Sequence, residues 1–119
     1  MVASNSKARK PRTPLPGRPV RGSRTGRPTM ALLDLLGRRW ALRILWELRN
    51  GESLTFRDLQ ARCGDISSSV LNDRLRELRE AGIVSGPPPG GYGLTPAGQS
   101  LLGALEPLDA WAKAWARDR

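Results

Sequence analysis

The chain has no histidine and only one cysteine, one tyrosine and one phenylalanine among its 119 residues. Without histidine there is no imidazole general base, no serine-histidine-aspartate arrangement and no histidine-ligated zinc. A lone cysteine excludes an internal disulfide and a cysteine-cluster metal site, and it fits a reducing cytoplasm. The glycines at 86, 90, 91 and 93 are followed by neither Gly-Lys-Ser/Thr nor a helix start, so they do not form a phosphate loop. The expectation is a non-enzyme with no cofactor and no metal. No run is long and uncharged enough to cross a membrane or to form the apolar core of a signal peptide.

Acids are missing where bases are densest. Residues 1–29 hold Lys7, Arg9, Lys10, Arg12, Arg18, Arg21, Arg24 and Arg27 with no Asp or Glu, a charge of +8. The whole chain carries 20 bases against 11 acids, net +9, so residues 30–119 are left at +1. The first 29 residues are rich in Pro, Gly, Ser and Arg and too poor in apolar side chains to fold alone. They are expected to form a disordered basic tail ahead of a folded domain over 30–119. Gly17-Arg18-Pro19 and Gly26-Arg27-Pro28 repeat one tripeptide nine residues apart. This loosely resembles the Gly-Arg-Pro core of AT-hook segments, which lie in the minor groove of A·T-rich DNA, although Pro16 and Thr25 stand where an arginine is usual. The tail is therefore a phosphate-binding arm, a minor-groove arm through Arg18 and Arg27, an inert extension, or sequence upstream of a translation start at Met30.

The most informative stretch is LTFRDLQARCGDISSSVLNDRLRELREAGIV, residues 54–84. Thr55 suits a helix N-cap, with Asp58 three positions on as a relative of the capping box. Phe56, Leu59 and Cys63 recur at spacings of three and four and share a face. Gly64-Asp65 breaks that helix, and Ser67 can cap the next. On the second helix Leu71, Leu75 and Leu78 form an apolar stripe. At 100° per residue Ser69, Asn72, Asp73, Arg76 and Glu80 fall opposite. Glu77 and Glu80 read as ordinary surface charges paired with neighbouring arginines. Gly82 supplies a stop just past the C-terminus. Two short amphipathic helices joined by a tight turn are the layout of a helix-turn-helix. Asn can pair at two points with adenine and Arg with guanine, while short hydroxyls approach bases or phosphates. Solvated polar positions with no ligand are the plain alternative.

Ile83-Val84 and Tyr92-Gly93-Leu94 flank a Pro/Gly loop and read as a small hairpin, irregular because of its prolines. Thr95-Pro96 starts a last helix, with Leu101, Leu105, Leu108, Trp111, Ala112 and Trp115 along one stripe and Pro107 expected to kink or divide it. Upstream, Leu32, Leu33, Leu35 and Leu36 form a short helix, and the next runs from about 38 to 50. There Trp40, Ile44 and Leu48 line one side while Leu42 and Trp46 lie well around the cylinder. A helix apolar on two sides must bury both, which points to a second subunit. Tryptophans folding back on their own core are the alternative.

Four blocks then carry a resemblance: LLDLLGRRWALRILWELRNG, FRDL, ISSSVLNDRLRELREAGIV and LTPAGQSLLGALEPLDAW. In this order and spacing, residues 30–115 resemble the HxlR-type winged helix-turn-helix family of bacterial transcription regulators. The resemblance implies a mainly α fold with a small β-hairpin and a cytoplasmic homodimer joined through its N- and C-terminal helices. It also implies double-stranded DNA as the partner, with a pseudo-palindromic operator read by the helix over about 67–81. By position, Ser67 opens that helix and Ser68, Ser69, Asn72, Asp73 and Arg76 face DNA. Arg74 matches a usual arginine but sits on the flank of the core, where a phosphate contact or an internal pair suits it better than base reading. The implied dimer contact takes in Leu32, Leu36, Trp46, Leu105, Leu108, Trp111 and Trp115. Two departures stand out. Ser69 replaces a common lysine, and residues 83–95 contain no Lys or Arg, which leaves the wing without its usual backbone contact. Members that sense oxidants use a cysteine before the first helix, where this chain reads Arg27-Pro28-Thr29-Met30. Cys63 lies on an apolar stripe instead, as a small core residue.

The other class of function is a winged helix that docks on a protein partner, which Asp73 and the uncharged wing would suit. A small-molecule effector, if the chain takes one, would sit around Trp40, Trp46, Trp111 and Trp115, where plain packing is the alternative.

Overall fold

A computed structural model of the protein describes residues 12–86 and 89–119. The elements are α1 (Pro28–Leu36), α2 (Ala41–Glu47), α3 (Phe56–Cys63), α4 (Ser68–Glu80), β1 (Val84–Ser85), β2 (Gly93–Leu94) and α5 (Pro96–Arg117). The fold is mainly helical with one antiparallel hairpin, in which Val84 pairs with Leu94 and Ser85 with Gly93. Leu54 adds a bridge to Tyr92 through two backbone bonds of 2.9 and 2.7 Å, extending the hairpin toward the start of α3. Pro87 and Pro88 of its loop lie outside the described residues.

Local chemistry sets the helix starts. At α3 the Thr55 hydroxyl accepts the Asp58 amide at 3.0 Å while the Asp58 carboxylate accepts the Thr55 amide at 3.1 Å, a full capping box. The Thr55 amide, and after it the Thr55 side chain, hold the Asp58 carboxyl below its ordinary range. Ser67 caps α4 by accepting the Val70 amide at 3.2 Å. Thr95 caps α5 by accepting the Gly98 amide at 3.0 Å, and its hydroxyl donates to the Gly82 carbonyl at 2.6 Å, joining the end of α4 to the start of α5. Gly98 has to be glycine for this approach, because a Cβ there would lie 2.3 Å from the Ile83 carbonyl oxygen.

The core gathers Leu35 and Leu36 from α1, Ile44, Leu45 and Leu48 around α2, Leu59 and Cys63 from α3, and Leu71, Leu75 and Leu78 from α4. Ile83, Val84 and Tyr92 close it from the hairpin. Helix α5 contributes only the half-buried Leu101 and Leu102. Three expectations are corrected. The second helix begins at Ala41 rather than 38, because Trp40 takes a left-handed φ of 77° and interrupts the helical path. Helix α5 is not divided at Pro107 but runs through it for 22 residues. Glu77 is not a surface charge: its side chain is 4% exposed and binds Arg38 at 2.6 Å and also Arg74.

The tail expected over 1–29 also differs over 12–29. Helix α1 starts at Pro28, so Met30 lies inside it, and residues 12–27 form a strap against the domain. The Gly17 amide donates to the Gly26 carbonyl at 2.9 Å, so the two Gly-Arg-Pro tripeptides meet and close a loop. Gly26 has φ 72°, and a Cβ there would lie 2.3 Å from the Arg18 carbonyl oxygen. Within the loop Val20 and Ser23 exchange backbone bonds of 2.9 and 3.0 Å. On its own the segment is too poor in apolar side chains to fold. This segment is held instead by polar contacts to α1, α4 and Arg38. Residues 1–11 lie outside the described residues.

Candidate nucleic-acid interface

Helix α4 owes its orientation to its apolar stripe. Leu71, Leu75 and Leu78 are 0–1% exposed, so the opposite side turns outward. On that side Ser69 and Asn72 are exposed and Asp73 and Arg76 are half-buried. Ser67 and Ser68 are exposed at the N-terminal end. The Ser68 hydroxyl accepts Gln60 Nε2 at 2.9 Å, which leaves its own proton to donate outward. Ser67 satisfies the third amide of the helix, so the first-turn amides of Ser68 and Ser69 stay outside the intrahelical ladder, where an anion oxygen could accept them.

Arg76 is not isolated on this surface. Its Nη1 donates to Glu80 Oε1 at 3.2 Å and its Nη2 lies 3.8 Å from Asp73 Oδ1. The two carboxylates fix the guanidinium's position and offset its charge. Arg74 points elsewhere: it shares the buried Glu77 with Arg38, and its Nε is buried without a hydrogen-bond partner. Of the alternatives left open for Arg74, the structure shows the internal pair. Arg18 is also engaged internally, with its guanidinium donating to the Thr13 carbonyl from Nε at 3.2 Å. Arg27 is the N-cap residue of α1, and it is exposed.

The candidate interface therefore joins Ser67, Ser68, Ser69, Asn72, Asp73 and Arg76 on one surface and removes Arg74 and Arg18 from it. Sequence reasoning missed Gln60, which steadies Ser68; it paired Glu80 with neighbouring arginines, as the Arg76 bond shows, but missed that Glu80 also accepts the Thr13 hydroxyl from the strap. The Thr13–Glu80 contact spans 67 residues, and no local pattern signals it. Cys63 is buried, and burial pushes its thiol up from its ordinary value, toward the unreactive protonated form.

Large apolar side chains are exposed on α2 and α5. Trp46, Leu108, Trp111 and Trp115 are 50–62% exposed. Trp111 and Trp115 stack with centroids 5.9 Å apart, Arg49 lies 3.9 Å over Trp46, and Arg119 lies 5.3 Å over Trp115. Leu32 and Leu105 are half-buried. Leu36, expected at a subunit contact, is instead 8% exposed within the protomer's own core. The tryptophans of α5 do not fold back onto that core.

Residues 35–119 match the family model described as HxlR-like helix-turn-helix. The chain is 34% identical over 89 residues to an uncharacterised HTH-type transcriptional regulator, YvaP, of Bacillus subtilis, a match covering 70% of this chain and 82% of that one. Among solved structures it is similar to the quinone-bound YodB of B. subtilis, with a TM-score of 0.68 and 30% identity over 72% of this chain and 94% of that one. It is also similar to a possible HxlR family transcriptional factor from Thermoplasma volcanium, with a TM-score of 0.63 and 29% identity over 76% and 85% of the two chains. Among the described residues no helix is long and apolar enough to cross a membrane.

Proposed function

Because the chain belongs to the HxlR-like helix-turn-helix family of transcriptional regulators, we propose that it is a homodimer reading a two-fold DNA operator. In this reading α4 enters the major groove. Asn72 and Arg76 read base edges, and Ser67, Ser68 and Ser69 hold the flanking phosphate at the helix N-terminus. Asp73 restrains Arg76 and selects against a base edge that presents only acceptors. Arg27 adds charge toward the DNA backbone. The observation that carries the reading is the complete burial of Leu71, Leu75 and Leu78, which turns Asn72 and Arg76 outward on a capped, rigid helix.

What supports the dimer is the exposure of Trp46, Leu108, Trp111 and Trp115, large apolar side chains of the kind that interaction surfaces present. A ligand-controlled version of this function places a flat aromatic effector at the tryptophans. The YodB structure is quinone-bound; in this chain such a ligand would have to act without a reactive thiol, because Cys63 is buried.

The test is fluorescence anisotropy on a duplex that the chain itself enriches from a random pool. Asn72→Ala and Arg76→Ala should each lose about 1–3 kcal/mol of discrimination against a shuffled duplex while leaving the oligomer intact. If both variants discriminate like the parent, α4 does not read bases. A protein-docking role for the same face, which the cation-free wing would suit, then becomes the better account.

A further inference from the structure

We infer that the strap over residues 12–27 is a clamp for the DNA backbone, fixed in register with α4. Its exposed Arg12, Arg21 and Arg24 hold the phosphate strand that borders the groove entered by that helix. This rests on the proposed role of α4 and adds a second contact whose position the fold determines.

Docking is the first observation. Thr13 is 2% exposed and its hydroxyl donates to Glu80, the carboxylate that also receives Arg76. Arg38 Nη2 donates to the Arg12 carbonyl at 3.1 Å, the Arg18 guanidinium donates to the Thr13 carbonyl, and the Arg21 amide donates to Asp34 at 3.1 Å. The strap is thus tied to the far end of the reading helix and to α1.

Charge is the second observation. Residues 12–27 include five arginines and no acid. Arg18 serves as an internal latch, while Arg12, Arg21 and Arg24 are exposed. The hairpin region over 83–95 has no cation, and residues 30–119 carry only +1. Cationic charge lies on the strap and none on the hairpin region. Spacing agrees: Glu80 lies eight residues beyond Asn72, about 12 Å along the helix axis, and the major groove is about 12 Å wide. With Asn72 at base edges, the Thr13–Glu80 contact falls where the bordering strand runs. The strap also lies outside the span that matches the family model, 35–119.

A flexible cationic tail attracts any DNA and loses its freedom on binding. A docked strap is ordered when the protein folds, and its phosphate contacts set orientation and register. The two can be separated experimentally with the full chain. Thr13→Val and Gly26→Ala undock the strap without changing charge. Replacing Arg12, Arg21 and Arg24 together by Ala removes charge while leaving the latch. Amide hydrogen exchange at residue 21, whose backbone N–H donates to Asp34 on α1, reports docking without DNA, and salt-dependent anisotropy on the enriched and shuffled duplexes reports binding.

In the undocked variants, exchange protection should be lost and affinity for the enriched duplex should fall roughly tenfold. Their salt slope on the shuffled duplex should be kept. In the triple variant, protection should be kept and the slope should shrink by up to about 2.7 per chain. Undocked variants that bind the enriched duplex like the parent would overturn register fixing, and an unchanged slope in the triple variant would overturn phosphate contact. A parent that enriches no duplex from the pool removes the role of α4 itself, a failure distinct from either.

Discussion

Glu77 shows how a single side chain changes meaning once the chain is folded. On a helical wheel it is one more acid among arginines, yet its carboxylate is enclosed and takes Arg38 from the loop after α1 together with Arg74 from its own helix. Removing the acid would leave two guanidinium groups, each about four-fifths buried, without a counter-charge. Breaking one side of a buried pair typically costs about 3 kcal/mol or more, so Glu77→Gln should lower Tm by roughly 10–20 °C. Glu52→Gln, which removes the partner of an exposed Arg62 bridge, should barely move Tm. Thermal melts of both variants at low and at high salt decide the matter, since a buried triad is screened far less than a surface pair. A Glu77→Gln melt that overlays the parent would return Glu77 to the surface class that the sequence suggested.

Elements with local signals were legible before the structure. Helices α3 and α4 announce themselves through a threonine and a serine cap, leucines at spacings of three and four, and Gly82 past the end. The outward set Ser69, Asn72, Asp73 and Arg76 follows from that stripe by rotation alone. What stayed hidden depends on backbone choice or distant partners. The left-handed Trp40 that delays α2 has no marker, since that conformation is unusual for a bulky residue. The strap needs Thr13 to meet Glu80, and Arg38 to meet both Arg12 and Glu77, none of which are neighbours in sequence. Pro107 was expected to kink or divide its helix, and division is what the structure contradicts. The proline removes the amide that would serve the Gly103 carbonyl, and the helix nevertheless continues, with the Asp109–Lys113 pair and the Trp111–Trp115 stack beyond it. Pro107→Ala should therefore stabilise the distal half of α5, by up to about 3 kcal/mol. Hydrogen exchange should slow at residues 108–112 while α3 and α4 exchange as before. Equal exchange in parent and variant would mean that the proline costs this helix nothing.

For the whole molecule, the length of α5 is the dominant fact. Its 22 residues extend about 33 Å, and the radius of gyration, 15.8 Å, exceeds the roughly 13.5 Å expected of a compact chain of this length. Only the first part of that helix packs on the core, through Gly98, Leu101 and Leu102. Its distal part displays Leu108, Trp111 and Trp115 at spacings of three and four, one face of large side chains left half exposed or more. A helix of this kind is stable when a second apolar face covers it, and a two-fold axis would let the same face of another copy do so. Such an axis would also present two α4 helices to successive turns of a duplex, so assembly and operator symmetry become one prediction. The parent should sediment as a dimer at micromolar concentration. Trp111→Ala combined with Trp115→Ala should sediment as a monomer with its helical signal retained, and it should bind a duplex carrying one half-site as well as a duplex carrying two. A parent that sediments as a monomer at tens of micromolar would detach α5 from dimer formation and leave its tryptophans for another partner.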